Sequence, residues 1–322
     1  MHLPDGFLDA KTALASAGFA AAGVGLALRQ VRTTVEPRRM PLLGLASAFV
    51  FAAQMLNFPV AGGTSGHLIG GVLTAILLGP GAAVLVMTCV LLVQCLMFAD
   101  GGLLALGANV FNMALVNVCG GYFVFRLLKR LLRMEEKRAT VFAGAFAGWV
   151  GTVLASVSCA GQLAFSKAAA WSVAFPAMAG VHMLIGVGEG LATGLIVLAV
   201  MQARPDLVNG AKAETGVSRP GLLAYGLLIS LGLVVFVAPF ACPWPDGLES
   251  VARALGFADK AAPPLLRAPA SDYALPFLGS PTLAVSVAGL VGVVLAFVAA
   301  YGLARLLVPA LNPGKSDASS RT

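Results

Sequence analysis

Apolar residues along this chain do not alternate with polar ones. They run on in blocks, at about 10–28, 42–56, 68–79, 81–98, 104–128, 139–157, 176–201, 220–240 and 282–308. An uninterrupted apolar run of about 18 residues is what a helix needs to cross ~30 Å of hydrocarbon. The pattern therefore predicts an all-α polytopic membrane protein with nine spans. The second and third blocks are short for a full crossing. They flank Gly62-Gly63-Thr64-Ser65-Gly66, which predicts a broken or re-entrant element between them. The alternating ~10-residue strands of an outer-membrane barrel are absent from the pattern.

The blocks fall into two groups. Residues 1–205 hold seven spans joined by short loops, and 206–219 read as a polar cytoplasmic linker. Residues 220–308 then form a two-span module around an outer loop, 241–281, dense in Pro and Gly; 309–322 read as a disordered tail. Composition agrees: 59% of the 322 residues are hydrophobic and 11% charged, against about 25% charged in a soluble domain. The net charge of +7 suggests nucleic acid until its placement is examined. With the N-terminus outside and the C-terminus in the cytoplasm, sixteen of the 21 Lys and Arg residues lie inside, which is the positive-inside rule. The basic clusters thus face the lipid bilayer and the cytoplasm, and no nucleic-acid role is expected. Residues 1–9 lack the basic start of a cleavable signal, so the mature chain is expected to begin at Met1. The five cysteines show no C-x-x-C spacing and read as small apolar packing residues, with a Cys159–Cys242 disulfide as the remaining option. Gly314-Lys315-Ser316 lacks the glycine that a phosphate loop needs at position 309, where Pro309 stands. Gly186-x-Gly188-x-Gly190 and Ala48-x-x-x-Ala52 read as close helix-packing patterns. No nucleotide site is visible, so ATP-driven work needs a partner.

Chemistry concentrates on three histidines, His2, His67 and His182. With Met1 retained, the α-amine, the His2 backbone nitrogen and His2 Nδ1 lie on one short covalent path. A metal bridging amine and amide nitrogen closes a five-membered ring; one bridging amide nitrogen and Nδ1 closes a six-membered ring. Three nitrogens then share a plane, provided the amine is neutral and the amide nitrogen deprotonated or strongly polarised. His67, just after the glycine-rich break and on the same outer face, is the candidate fourth nitrogen. Square-planar nitrogen suits Ni(II) or Cu(II), whereas Zn prefers tetrahedral sites and Mg or Ca prefer oxygen. An untidy N-terminal tail and a capping or packing His67 stand as the plainer alternatives.

Met-His-Leu-Pro-Asp-Gly-Phe-Leu at 1–8, with Gly-Gly-Thr-Ser-Gly-His at 62–67, resembles the NikM/CbiM family. These are the substrate-specific (S) components of energy-coupling-factor transporters for nickel and cobalt. The resemblance covers about residues 1–203, including Leu106-Gly107-Ala108-Asn109 and Gly186-Val187-Gly188-Glu189. It implies metal ligation by Met1, His2 and His67, and no intrinsic cofactor. The cargo it implies is Ni2+, with Co2+ as the alternative. It also implies a membrane coupling T-component and a cytoplasmic ATPase dimer as partners, in a bacterial cytoplasmic (inner) membrane. Pro245-Asp246-Gly247-Leu248-Glu249, with Tyr273-Ala274-Leu275-Pro276, resembles the small two-span accessory component of the same systems, here fused. That loop is expected to help load metal or position the N-terminus.

Six polar residues, Gln54, Asn57, Gln94, Asn109, Asn112 and Asn117, lie in or beside spans, where helix-to-helix hydrogen bonds are the usual use. Among them Asn57, Gln94 and Asn109, together with Ser65, are candidates to steer His67. Glu189, the one carboxylate deep in an apolar span, is a candidate for an ion path or a partner contact. His182 is read either as a packing histidine or as a transient ligand. An intramembrane metalloenzyme is disfavoured because a planar site filled by His67 and the terminus leaves no general base. A channel is disfavoured because such a chelate releases ions too slowly.

Overall fold

In the computed structural model, residues 1–209, 218–275 and 277–307 are described. Most of the expected linker, Pro276, and the expected tail with its Gly314-Lys315-Ser316 lie outside them.

Every apolar block is helical. Seven helices among the described residues are long and apolar enough to cross a membrane. They are α1 (Ala10–Thr34), α4 (Pro80–Phe98), α5 (Leu106–Leu131), α6 (Glu136–Phe165), α7 (Trp171–Ala203), α8 (Pro220–Phe240) and α10 (Pro281–Leu307). The other two blocks fall short: α2 (Met40–Gln54) has 15 residues and α3 (Gly71–Leu78) has 8. At 1.5 Å per residue these reach about 22 and 12 Å, less than the ~30 Å of hydrocarbon. Nine expected crossings thus become seven long helices and two short ones.

The break between the short helices is not coil. It is a β-hairpin, β1 (Phe58–Val60) paired antiparallel with β2 (Thr64–Gly66), turning at Gly62 and Gly63, both with positive φ. The all-α expectation is corrected to that extent. Glycine at both turn positions supplies the left-handed backbone a tight hairpin requires. A second departure lies in the outer loop, where Gly247–Ala254 form a helix, α9. Asp246 caps it: its Oδ1 accepts from the Glu249 N–H at 2.8 Å, and the Glu249 carboxylate takes the Asp246 N–H at 3.3 Å. Pro-Asp-Gly at 245–247 is therefore a helix start.

Small residues set how closely helices approach. Gly186 and Gly190 on α7 let α6 in at Trp149 and Ala145, while Gly188 faces the Phe58 ring. Ala48 and Ala52 are fully buried on α2, which packs against α4, α8 and α10. A Cβ on Gly292 of α10 would stand 2.0 Å from the fully buried Phe51 ring of α2. Gly292→Ala is accordingly expected to cost about 1–3 kcal/mol of stability, read as a lower unfolding temperature in detergent. A polar ladder crosses the bundle as well. Ser158 donates to Asn112, Asn112 to Gln162, and Gln162 to Ser16, tying α6, α5 and α1 together. No disulfide forms: all five cysteines are free, and Cys159 is fully buried.

Candidate metal centre at the N-terminus

The first nine residues are threaded into the protein rather than trailing from it. Leu3 is fully buried, and its N–H donates to Asn109 Oδ1 at 2.8 Å. Its carbonyl accepts from Asn109 Nδ2 (3.1 Å) and from the Gly102 N–H (2.9 Å). Asp5 accepts from the N–H groups of Leu103, Leu104 and Ala105, which lead into α5 and have no partner within the helix. The Asp5 carbonyl takes the Ala262 N–H of the outer loop at 2.7 Å, and Phe7 meets Phe257 edge-on. Together these contacts fix the terminus in place.

What they deliver is the α-amine. Met1 is buried, and its amine donates to His67 Nε2 at 2.8 Å and to Asp246 Oδ2 at 2.7 Å. His67 Nδ1–H donates to the Leu68 carbonyl at 3.1 Å, which leaves Nε2 as the bare, lone-pair nitrogen. Burial, followed by the Met1 ammonium charge and His2, pushes the His67 pKa down to about 3, so the ring is neutral at any physiological pH. Asp246 loses stability as an anion through burial, but the amine and His67 more than compensate and hold it well below the usual carboxylate range. One carboxylate thus caps α9 with one oxygen and grips the amine with the other. A cavity of about 10 Å³, the size of one water molecule, lies among Met1, His67, Thr152, His182, Asp246 and Gly247.

His2 stacks parallel to His67, with centroids 5.3 Å apart. Its imidazole departs from the chelate expectation: Nδ1 is 2.7 Å from Asp100 Oδ1 rather than turned to the amine, and Nε2 is buried with no partner. The second Asp100 oxygen accepts from the Tyr273 hydroxyl at 2.6 Å.

The other expected residues divide. Ser65 is at the site's edge; its N–H and hydroxyl hold Pro245 and Trp244 carbonyls, stitching β2 to the loop before α9. Asn109 clamps Leu3. Glu189 is buried, and both its oxygens accept backbone N–H groups, Ile69 at 2.6 Å and Gly70 at 2.9 Å, at the start of α3. It therefore fixes the backbone just after His67. Gln94 donates to Gln54, which donates to the Ile69 carbonyl, supporting the same turn. Asn57 precedes Phe58, which pairs with Gly66, and its carbonyl accepts from the Cys242 N–H. His182 Nδ1 donates to the Met178 carbonyl on its own helix, and the ring backs Gly247, where a Cβ would stand 2.8 Å from it. Leu248 is buried beneath α9. Sequence reasoning missed Asp100 and Asp5. Ala99-Asp100-Gly101-Gly102 reads as a turn after a span, and only its acidic residue beside the outer face hinted at more.

Among the described residues, no three His, Cys, Asp or Glu side chains are grouped to hold an ion. At one end of the helical bundle a buried amine thus meets a bare imidazole nitrogen. Comparison gives the chain's kind, a metal-transport protein and not an enzyme. The chain belongs to the CbiM family: its cobalt uptake substrate-specific transmembrane region matches residues 2–207, and a PDGLE domain matches residues 221–309. The fused nickel transport protein NikMN of Rhodobacter capsulatus is 32% identical, over 94% of this chain and 96% of that one. A relative in Archaeoglobus fulgidus is 37% identical over 95% of this chain and 98% of its own length. The cobalt transport protein CbiM of Streptomyces coelicolor is 36% identical, over 69% of this chain and 94% of its own. A truncated transition metal transporter of known crystal structure shares 34% identity at a TM-score of 0.57, covering 63% of this chain and 99% of that chain.

Proposed function

We propose that the chain captures Ni2+ from the outer side of the cytoplasmic membrane, using the Met1 amine, the His2 amide nitrogen and imidazole, and His67 Nε2. One observation carries the reading: a buried primary amine and a bare imidazole nitrogen stand 2.8 Å apart. Two nitrogens adjacent on an ion bound at about 2.0 Å are also about 2.8 Å apart, so the spacing already suits one ion once the amine gives up its proton and the two lone pairs turn towards it. The His67 tautomer is already the ligating one. The planar nitrogen set of this proposal suits nickel better than cobalt, and the fused NikMN relative, which shares both parts of this chain, supports the same choice.

The N-terminus lies outside and the C-terminus in the cytoplasm, as the charge placement requires. Residues 1–205 form the S-component, 206–219 the linker, 220–308 the two-span PDGLE module and 309–322 the tail. A coupling T-component and a cytoplasmic ATPase dimer drive release. Relatives in Archaeoglobus as well as Rhodobacter support a cytoplasmic membrane that need not be a bacterial one. The test is spectroscopic. Nickel held by four coplanar nitrogens is low-spin, diamagnetic and yellow-orange. A paramagnetic, pale green, octahedral ion on protein with an unmodified terminus would refute the planar assignment.

A further inference from the structure

We propose that Tyr273 and Asp100 form a positioning relay that sets which nitrogen of His2 faces the cargo ion. Through it the C-terminal module governs the chelate by way of one hydroxyl. The proposal rests on the reading of His2 as a ligand.

Three observations converge. Asp100 is pinned at the end of α4, its N–H donating to the Gln94 carbonyl, and its two oxygens face different partners, His2 Nδ1 at 2.7 Å and the Tyr273 hydroxyl at 2.6 Å. Tyr273 reaches this place from the outer loop and lies stacked on Phe98, centroids 4.7 Å apart at 13°. Its backbone is unusual. Asp272 and Tyr273 have φ of 55° and 56°, two successive non-glycine residues in the left-handed region. Such strain persists where the surroundings over-determine it, and it clusters at functional positions. Lastly, His2 Nε2 is buried with no partner, a rare condition for a polar atom inside a protein.

A half-turn of the His2 ring about its Cβ–Cγ bond accounts for the orphan nitrogen. It carries Nδ1 to the place of Cδ2, clear of the carboxylate and available to the ion. It carries Nε2 to the place of Cε1, beside Asp100. Metal-bound imidazoles regularly donate their other N–H to a carboxylate. In the parked ring Asp100 holds Nδ1 and the six-membered chelate ring is open; in the turned ring Nδ1 is freed, the chelate ring closes, and the carboxylate must follow Nε2–H, which points off the line of the present bond to Nδ1. The Tyr273 hydroxyl anchors the second oxygen, about which the carboxylate turns to meet either ring nitrogen.

The test uses the full chain with a free N-terminus and nickel titrated against a competing chelator. Tyr273→Phe keeps the stacked ring and removes the hydroxyl. It is expected to weaken nickel binding about 10–100-fold without lowering the unfolding temperature, and Asp100→Asn to act in the same sense. The second readout is nitrogen-15 NMR of histidine-labelled protein, tractable because the chain has three histidines. Without metal the His2 proton sits on Nδ1; with diamagnetic nickel bound it sits on Nε2; in Tyr273→Phe without metal both forms appear. A Tyr273→Phe chain that binds nickel as the parent does, or a His2 proton on one nitrogen in both states, overturns the relay. His2→Ala separates the two levels. If it binds nickel undiminished, the ligand reading itself falls; if it loses nickel while Tyr273→Phe does not, the relay alone falls.

Discussion

Adding a single residue in front of Met1 is expected to abolish tight nickel binding while the bundle stays folded. The amine is the atom that extension changes, from a basic nitrogen to a poorly basic amide. There is also no room for the addition. Met1 is buried, its amine lies between His67 Nε2 and Asp246, and the adjoining cavity measures about 10 Å³. The loss should exceed the ~10–100-fold that a supporting residue of a metal site commands. The measurement compares two proteins alike except for one residue released or retained at the start. Equal nickel affinities would remove the terminus from the site altogether.

His67→Ala should reduce nickel affinity by more than ~100-fold, and His2→Ala likewise, because each deletes a nitrogen ligand rather than a supporting group. His182→Ala should cost at most ~10-fold, the lower end for a supporting group. Its Nδ1 serves the Met178 carbonyl and its ring supports Gly247. Titration of the three variants checks the order, and His182 outranking His67 would redraw the site. The pH dependence follows from the position of His67. Burial lowers its pKa to about 3, so protons compete at that ring only as the medium falls towards that value; above it the ring is neutral and binding displaces nothing from it. Protons released near neutrality must come from elsewhere. Calorimetry in buffers of different ionisation enthalpy should therefore find the same proton count per bound ion in His67→Ala as in the parent, at whatever nickel concentration saturates the variant.

The long helices were legible because bilayer crossing imposes length and apolarity on a contiguous stretch. The short elements were not. The hairpin at 58–66 holds three-residue strands whose partner across the gap is the 244–245 loop, and no local pattern records a tertiary contact. α9 was concealed by Pro-Asp-Gly, which serves a turn and a helix cap equally well until Glu249 is seen three residues on. At the site, Met1, His2 and His67 could be named because covalent geometry constrains what a terminal Met-His can chelate. Glu189 announced itself as a carboxylate in an apolar span, but its partners, two backbone N–H groups 119 and 120 residues away, are carried by packing alone. Asp100 and Tyr273 lie 173 residues apart and meet only because α4 and the outer loop share an end of the bundle.

Met1 is paired with a residue 245 positions further along, and that separation dictates an order of assembly during synthesis. Asn109 and the amides of Leu103, Leu104 and Ala105 are made early, so the terminus can be threaded against its first holders while the ribosome is still working. At about 5–20 residues per second, roughly ten to forty seconds pass between the emergence of His67 and that of Asp246. Throughout that interval the nascent chain carries its nitrogens without the clasp. The terminus is threaded first and latched last, by a segment translated only after most of the membrane bundle has been made.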